Sequence, residues 1–396
     1  MSASPAISRF IASVAALAAT LLFVPLSLAQ PWSAAACAGD RSSAGLQCTA
    51  NDISVAQLTT DATQCIAGDT VTLNFTASLS SNAGDRHDIG IFISQDGKSP
   101  IVPSAGGGSA SCAVYDLPTT PLPLIDIDGD TCGDIRANDK VTFPIPKTLT
   151  ATVKCTPGTD GKLTVPTAIS WSQNTGLVCS GPDYVGPGTG SKCEYGSVSV
   201  PTVSVLGKIH ITKQTTPDAA AGTFSFSATG TGADPTSFTL GDNGSQTITT
   251  AALSSAGSDY TVSEGALAGF LPTAQIACQD AKGQPQTAFV TADGANRSVT
   301  LHMAADPANG LSEVYCTFTN TKIIAGSITI EKTTAGGDGT FSFANTGGVQ
   351  GSLTNPATFD ITTSTTTHRG TQELSSLAAG TYTITETVPA GWDLTS

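Results

Sequence analysis

Three alternating apolar rows in this sequence each end in a polar group able to do chemistry. Ile209 and Ile211 lead to Lys213, Tyr260 and Val262 lead to Glu264, and Cys316 and Phe318 lead to Asn320. Residues two apart in a strand project from one face, so each polar group continues an apolar row towards a core. The pattern recurs as Ile328, Ile330, Lys332 and as Tyr382, Ile384, Glu386. A lone charge is too costly to bury, so the amine, the carboxyl and the carboxamide are expected to meet. Burial lowers the pKa of a lysine and raises that of a glutamate, which places a neutral nucleophile beside a proton donor. The other arrangement open to Lys213 and Glu264 is a rim ion pair at the strand ends, contributing about 0–1 kcal/mol.

A second set of groups lies in "DIDGDTCGD", where Asp126, Asp128, Asp130 and Asp134 occupy relative positions 1, 3, 5 and 9. Carboxylates this close repel unless a hard cation joins them, and the spacing resembles a calcium loop. Thr131 stands where such loops bend at Gly, and no Glu follows at the twelfth position. Calcium and a solvated acidic turn held by Cys132 both stay open. No nucleophile elbow, HExxH, P-loop or dinucleotide fingerprint is present, so no residue is assigned to catalysis on an external substrate. The four histidines are scattered. His87 with Asp88 reads as a surface turn before the strand "IGIFIS". His210 falls out of phase with its apolar neighbours and is expected to be exposed. His302 belongs to a strand and His368 to a Thr-rich loop.

The elements that must position these groups follow from composition. Only 12% of the 396 residues are charged, while 41 Gly and 22 Pro favour turns and β-structure over long helices. The net charge of −14, without any basic cluster, excludes binding to nucleic acid or to an anionic membrane surface. Residues 1–29 read as a secretory signal peptide. Arg9 precedes the apolar run "FIASVAALAATLLFV", Pro25 breaks it, and "SLA" ends at Ala29 with small residues at both recognition positions. The competing reading is an uncleaved anchor; with cleavage, no bilayer span remains. Of the ten cysteines, eight lie between Cys37 and Cys193, and no CxxC pair exists. Behind a signal peptide this implies disulfides rather than zinc. Eight cysteines allow 105 pairings, so those are left unassigned. Cys278 and Cys316 are expected to pair with each other.

Self-comparison divides the chain. "GKIHITK" (207–213) returns as "GSITIEK" (326–332), "GTFSF" occurs twice, and "YTVSEGALAGF" (260–270) matches "YTITETVPAGW" (382–392), at offsets of 119, 117 and 122 residues. Repetition at that length means tandem domains rather than a solenoid. The expected organisation is a disulfide-rich β head over 30–203, a first repeat over 207–322 and an incomplete second repeat over 325–396. In the head, "VTLNFTASL" (71–79) turns Val71, Leu73, Phe75, Ala77 and Leu79 to one side, the mark of a half-buried strand. "HDIGIFIS", "KVTFPIP" and "GSVSVPTVSV" also read as strands, and "GPDYVGPGTGSK" as a loop. The fold class is all-β, with a β-sandwich as the economical form of each domain.

The ordered series "ITK…FSF…YTVSE…GF…CTFTN", present in two copies, resembles the prealbumin-like repeats (collagen-adhesin B-type, SpaA-like) of bacterial surface proteins. The resemblance covers 207–396. It implies prealbumin-like, Ig-like sandwiches, and a covalent bond between a strand Lys and an Asn of the last strand, assisted by an acid. Carried over, these are Lys213, Asn320 and Glu264. In the second repeat Lys332 and Glu386 are present and no Asn follows, so the chain is expected to break off inside a domain and no bond to close there. The expectation for function is a secreted or cell-surface, adhesin-like structural protein whose head meets a matrix, host or envelope ligand. Its rivals are an extracellular hydrolase with spacer repeats and a purely structural envelope protein.

Overall fold

The computed structural model describes residues 32–42, 46, 48–136, 141–175, 178–186, 191–348, 355–377 and 379–395. The signal peptide reading of residues 1–29 lies outside them. Among the described residues the helical turns are two short 3-10 turns, Ala38–Arg41 and Ser104–Gly106, and every other regular element is a strand.

The head holds β1 (Ile53–Thr59), β2 (Gln64–Ile66), β3 (Thr70–Ser81), β4 (His87–Ser94), β5 (Cys112–Asp116), β6 (Leu124–Ile125), β7 (Asp134–Ile135), β8 (Val141–Lys154), β9 (Lys162–Ser172) and the first half of β10 (Ser191–Thr216). One sheet runs β1-β3-β8; the facing layer runs β5-β4-β9-β10. Alternation places Leu73, Phe75, Ala77 and Leu79 of β3 in the core, with Val71 half-buried at its edge. Ile89, Ile91 and Ile93 of β4 and Leu163, Val165, Ile169 and Trp171 of β9 join the same core. Four disulfides tie the head together: Cys37–Cys112, Cys48–Cys193, Cys65–Cys155 and Cys132–Cys179. A buried arginine is accommodated in the same way that buried backbone usually is. The Arg41 guanidinium donates to the carbonyls of Ser33, Ala36, Pro182 and Val185 and lies over the Phe92 ring.

β10 gives the fold a feature that a boundary near residues 203–207 does not anticipate. It is one strand of 26 residues that leaves the head and enters the first repeat without a linker. Residues 191–200 pair with β9, and residues 208–216 pair with β18 (Glu313–Lys322). Its other partner in the repeat is β13 (Ser245–Ala252), with an irregularity between Leu206 and Lys208. Gly207 occupies that point because a Cβ there would approach Thr250 Oγ1 to 2.7 Å, where the Gly207 N–H donates instead. One continuous apolar core consequently extends from the head into the repeat.

The first repeat adds β11 (Phe224–Thr229), β12 (Ser237–Leu240), β14 (Ser258–Glu264), β15 (Phe270–Gln279), β16 (Val290–Asp293) and β17 (Ser298–Met303). One layer contains β15-β18-β10 with β13, and the other runs β12-β11-β14-β17-β16. The second repeat holds β19 (Gly326–Thr333), β20 (Thr340–Thr346), β21 (Thr358–Thr362), β22 (Arg369–Leu377) and β23 (Thr383–Thr387), paired as β19-β22 and β21-β20-β23. The molecule is all-β, as composition and period 2 imply.

Candidate functional site

The three polar groups that end apolar rows converge in the first repeat. β10 and β18 are adjacent and parallel, with Lys213 opposite Phe318 and Thr215 opposite Asn320. β14, in the facing layer, brings Glu264 across the sandwich, in register with Phe226. Lys213, Glu264 and Asn320 are 0%, 3% and 1% exposed, so the strand-end ion pair considered above does not describe them. Lys213 Nζ donates to Asn320 Oδ1 at 2.8 Å and to the carbonyls of Gln214 and Phe318, and it sits 4.1 Å from the Phe224 ring centroid. It lies 3.6 Å from Glu264 Oε1, and neither Glu264 oxygen has a hydrogen-bond partner.

The electrostatics follow from that burial. Desolvation lowers the Lys213 pKa, opposed by the charge of Glu264. Desolvation raises the Glu264 pKa, opposed by Asn320 and Lys213. Both shifts favour the neutral forms, an amine with a free lone pair and a carboxyl with a proton to give. The arrangement can support attack of Nζ on the Asn320 carboxamide carbon, with Glu264 polarising its oxygen.

The second repeat reproduces the surroundings of this site. Phe341 meets Trp392 edge-on at 5.0 Å, as Phe224 meets Phe270 at 4.9 Å. Phe343 stacks on Phe359 as Phe226 stacks on Phe238. Lys332 Nζ lies 4.3 Å from the Phe341 centroid and 2.6 Å from Glu386 Oε1, with side chains 15% and 13% exposed. Cys278 and Cys316 face each other across β15 and β18 and form a disulfide, which anchors the strand that carries Asn320.

The acidic loop assembles differently from its sequence spacing. Asp128, Asp130 and Asp134 come together, whereas Asp126 is exposed and its Oδ1 accepts the Gly129 N–H. The loop bends at Gly129, whose φ is +91°, two residues before Thr131, where calcium-loop spacing places the bend. The remaining members are His87 and Asp88, which correct the surface-turn reading. Both are buried at the start of β4, beside β7 and the acidic loop. Burial first, then Asp130 and the other carboxylates, push the Asp88 pKa up to about 8. No spacing rule could have joined residues 87–88 to 128–134; the polar start of "HDIGIFIS" was the available signal. His210 also differs from expectation. It is half-buried on the outer face of β10, where Tyr315 and Thr247 flank it. His302 lies in β17 and bonds Asp259, and His368 precedes β22 beside Asp338.

Residues 209–322 and 328–396 each match the family model of a prealbumin-like fold domain. Each repeat thus resembles a SpaA-like prealbumin domain, and the solved structures to which the chain is similar include an adhesin and pilins. A Mobiluncus mulieris adhesin containing intramolecular disulfide, isopeptide and ester cross-links shares 14% identity, over 69% of this chain and 99% of that one, with a TM-score of 0.24. A streptococcal ancillary pilin shares 13% over 65% and 76%, with a TM-score of 0.23. The major pilin of Streptococcus pyogenes shares 13% over 65% and 100%, with a TM-score of 0.22. No curated protein sequence matches the chain. Among the described residues no helix is long and apolar enough to cross a membrane.

Proposed function

We propose that this is an exported, non-enzymatic surface protein in which prealbumin-like repeats carry a disulfide-tied head. The first repeat closes its own covalent bond between Lys213 and Asn320. The observation that carries this reading is the buried triad itself, in which an amine 2.8 Å from a carboxamide oxygen shares an apolar cavity with a carboxyl. In the reaction Lys213 Nζ attacks Asn320 Cγ, and the new C–N bond replaces the Cγ–Nδ2 bond. Glu264 gives its proton to the developing oxyanion and passes the surplus amine proton to the leaving group, so ammonia departs and Glu264 is regenerated.

The site's place in the fold supports a mechanical role. The chain enters the repeat on β10 and leaves it on β18, and these two parallel strands are the ones the bond would join. Tension between the head and the second repeat would then pass through an amide and bypass the sandwich. The export reading rests on the signal-like N-terminus and on ten cysteines that all find partners in pairs. The head's role is to meet an extracellular ligand from the matrix, a host or the envelope. Of its convergent carboxylates, Asp88 and Asp134 are buried and Asp128 and Asp130 half-buried, which favours binding over hydrolysis.

Intact-mass measurement of the purified chain tests the bond. After allowance for the disulfides, the mass should be lower than the sequence mass by one ammonia. Lys213→Ala and Glu264→Gln should both restore the full mass. A parent chain at full sequence mass overturns the cross-link.

A further inference from the structure

We propose that the head binds a divalent transition-metal ion, Zn2+ or Mn2+, through His87 Nδ1 and the Asp128 and Asp134 carboxylates, with Asp88 and Asp130 closing the site around Asp128. The ligand atoms form two overlapping groups, His87/Asp128/Asp134 and Asp88/Asp128/Asp130, each with its atoms within 4.8 Å of one another. Asp128 belongs to both. The site is independent of the triad in the first repeat and shares no residue with it.

Three features distinguish this cluster from an ordinary acidic loop. The first is burial without partners. His87 is 4% exposed and Asp88 6%, yet His87 Nδ1 and both oxygens of Asp88 and Asp128 lack a hydrogen-bond partner. Buried polar atoms are normally satisfied, and an uncompensated carboxylate in such a place is costly. The second is charge. Four carboxylates share the site, and the nearby arginines are committed elsewhere, Arg86 to Asp52 and Arg136 to Asp85. The third is spacing. His87 Nδ1 lies 3.7 Å from Asp128 Oδ2 and 3.7 Å from Asp134 Oδ2. That is too long for a hydrogen bond. It is close to the edge of a tetrahedron drawn around an ion with ligand bonds of about 2.0–2.2 Å, roughly 3.3–3.6 Å.

The supporting shell is built to hold the ligands in place. The N–H groups of Asp88 and Ile127 donate to the two Asp134 oxygens, and those of Cys132 and Cys179 donate to the two Asp130 oxygens. The Cys132–Cys179 disulfide fixes the last two donors to each other. Backbone amides orient these two carboxylates, leaving one face of each for an ion. An imidazole nitrogen among the ligands selects a transition ion over calcium, which takes oxygen ligands alone. This replaces the calcium expectation, in which Asp126 served and His87 did not.

The test uses the full, tag-free chain, stripped with chelator and then equilibrated separately with Zn2+, Mn2+ and Ca2+. After gel filtration, metal per chain is measured by elemental analysis and melting by calorimetry. One equivalent of Zn2+ or Mn2+ should be retained and should raise the melting temperature of the head. His87→Ala and Asp128→Asn should each weaken binding by at least about tenfold. Asp128→Asn relieves repulsion, so without metal it should melt no lower than the metal-free parent. Retention of none of these ions overturns the proposal. So does Ca2+ binding that His87→Ala leaves intact, or an Asp128→Asn variant that melts well below the metal-free parent.

Discussion

Lys213 shows how far one side chain's environment decides its chemistry. In water its ammonium would be inert; beneath the Phe224 ring, with Glu264 and Asn320 as neighbours, desolvation draws it towards the free amine. Removing it exposes what the pair contributes. Lys213→Ala leaves the buried, neutral Glu264 and Asn320 without their amine partner and should destabilise the first repeat by about 1–3 kcal/mol in chemical denaturation, beyond any loss from the missing cross-link. His302 offers a milder case with the opposite sign. Its bonds to Asp259 and the Ala256 carbonyl raise its pKa. Stabilisation from this pair is therefore complete below the ordinary histidine value and lost as pH rises through the higher folded value. Because the imidazole is about a third exposed, the effect belongs with surface pairs, about 0.2–1 kcal/mol. The unfolding free energy of the parent from denaturant titration should fall between about pH 5 and pH 8 by that amount relative to Asp259→Asn. A flat difference would contradict the assignment.

Among the elements, β18 joins the repeat's disulfide, its triad and two of its strand pairings. It pairs with β10 on one side and β15 on the other, bears Asn320, and places Phe318 edge-on to Phe226 in the core. The Cys278–Cys316 disulfide closes a loop with a sequence separation of 38. Replacing both cysteines with Ala in an Asn320→Ala background, where no cross-link masks the effect, should cost about 2–4 kcal/mol in denaturant unfolding. In the parent the same pair should cost less, because the proposed amide would already restrict the unfolded chain. A loss of equal size in both backgrounds would show that the two ties act on different parts of the repeat.

For the whole molecule, the decisive feature is the path of load. β10 runs from head to repeat without a break, and the exit strand lies parallel beside it. Pulling the chain between head and second repeat shears this ladder, and the proposed Lys213–Asn320 bond would span it. In single-molecule force spectroscopy the parent should show no extension step from the first repeat. Asn320→Ala should add one. The step from Lys213 to Asn320 is 107 residues. The disulfide withholds 38 of these (107 − 38 = 69), giving roughly 230–250 Å of new length. A parent trace containing that step would count against a closed bond.

What the sequence determined by itself was whatever depends on neighbours along the chain. Period 2 set the strands and the buried faces of β3 and β10, and the phase of Lys213, Glu264 and Asn320 put all three towards a core. Self-similarity at about 120 residues separated the repeats. What only the tertiary structure decided depends on neighbours across it. The four head disulfides, chosen among 105 pairings, follow from which strands end side by side. The continuity of β10 through the supposed boundary follows from its having partners in both domains, which no local composition announces. The departure of Asp126 and the arrival of His87 and Asp88 follow from packing β4 against β7. Those residues lie about forty positions from the acidic loop, and only folding brings them to it.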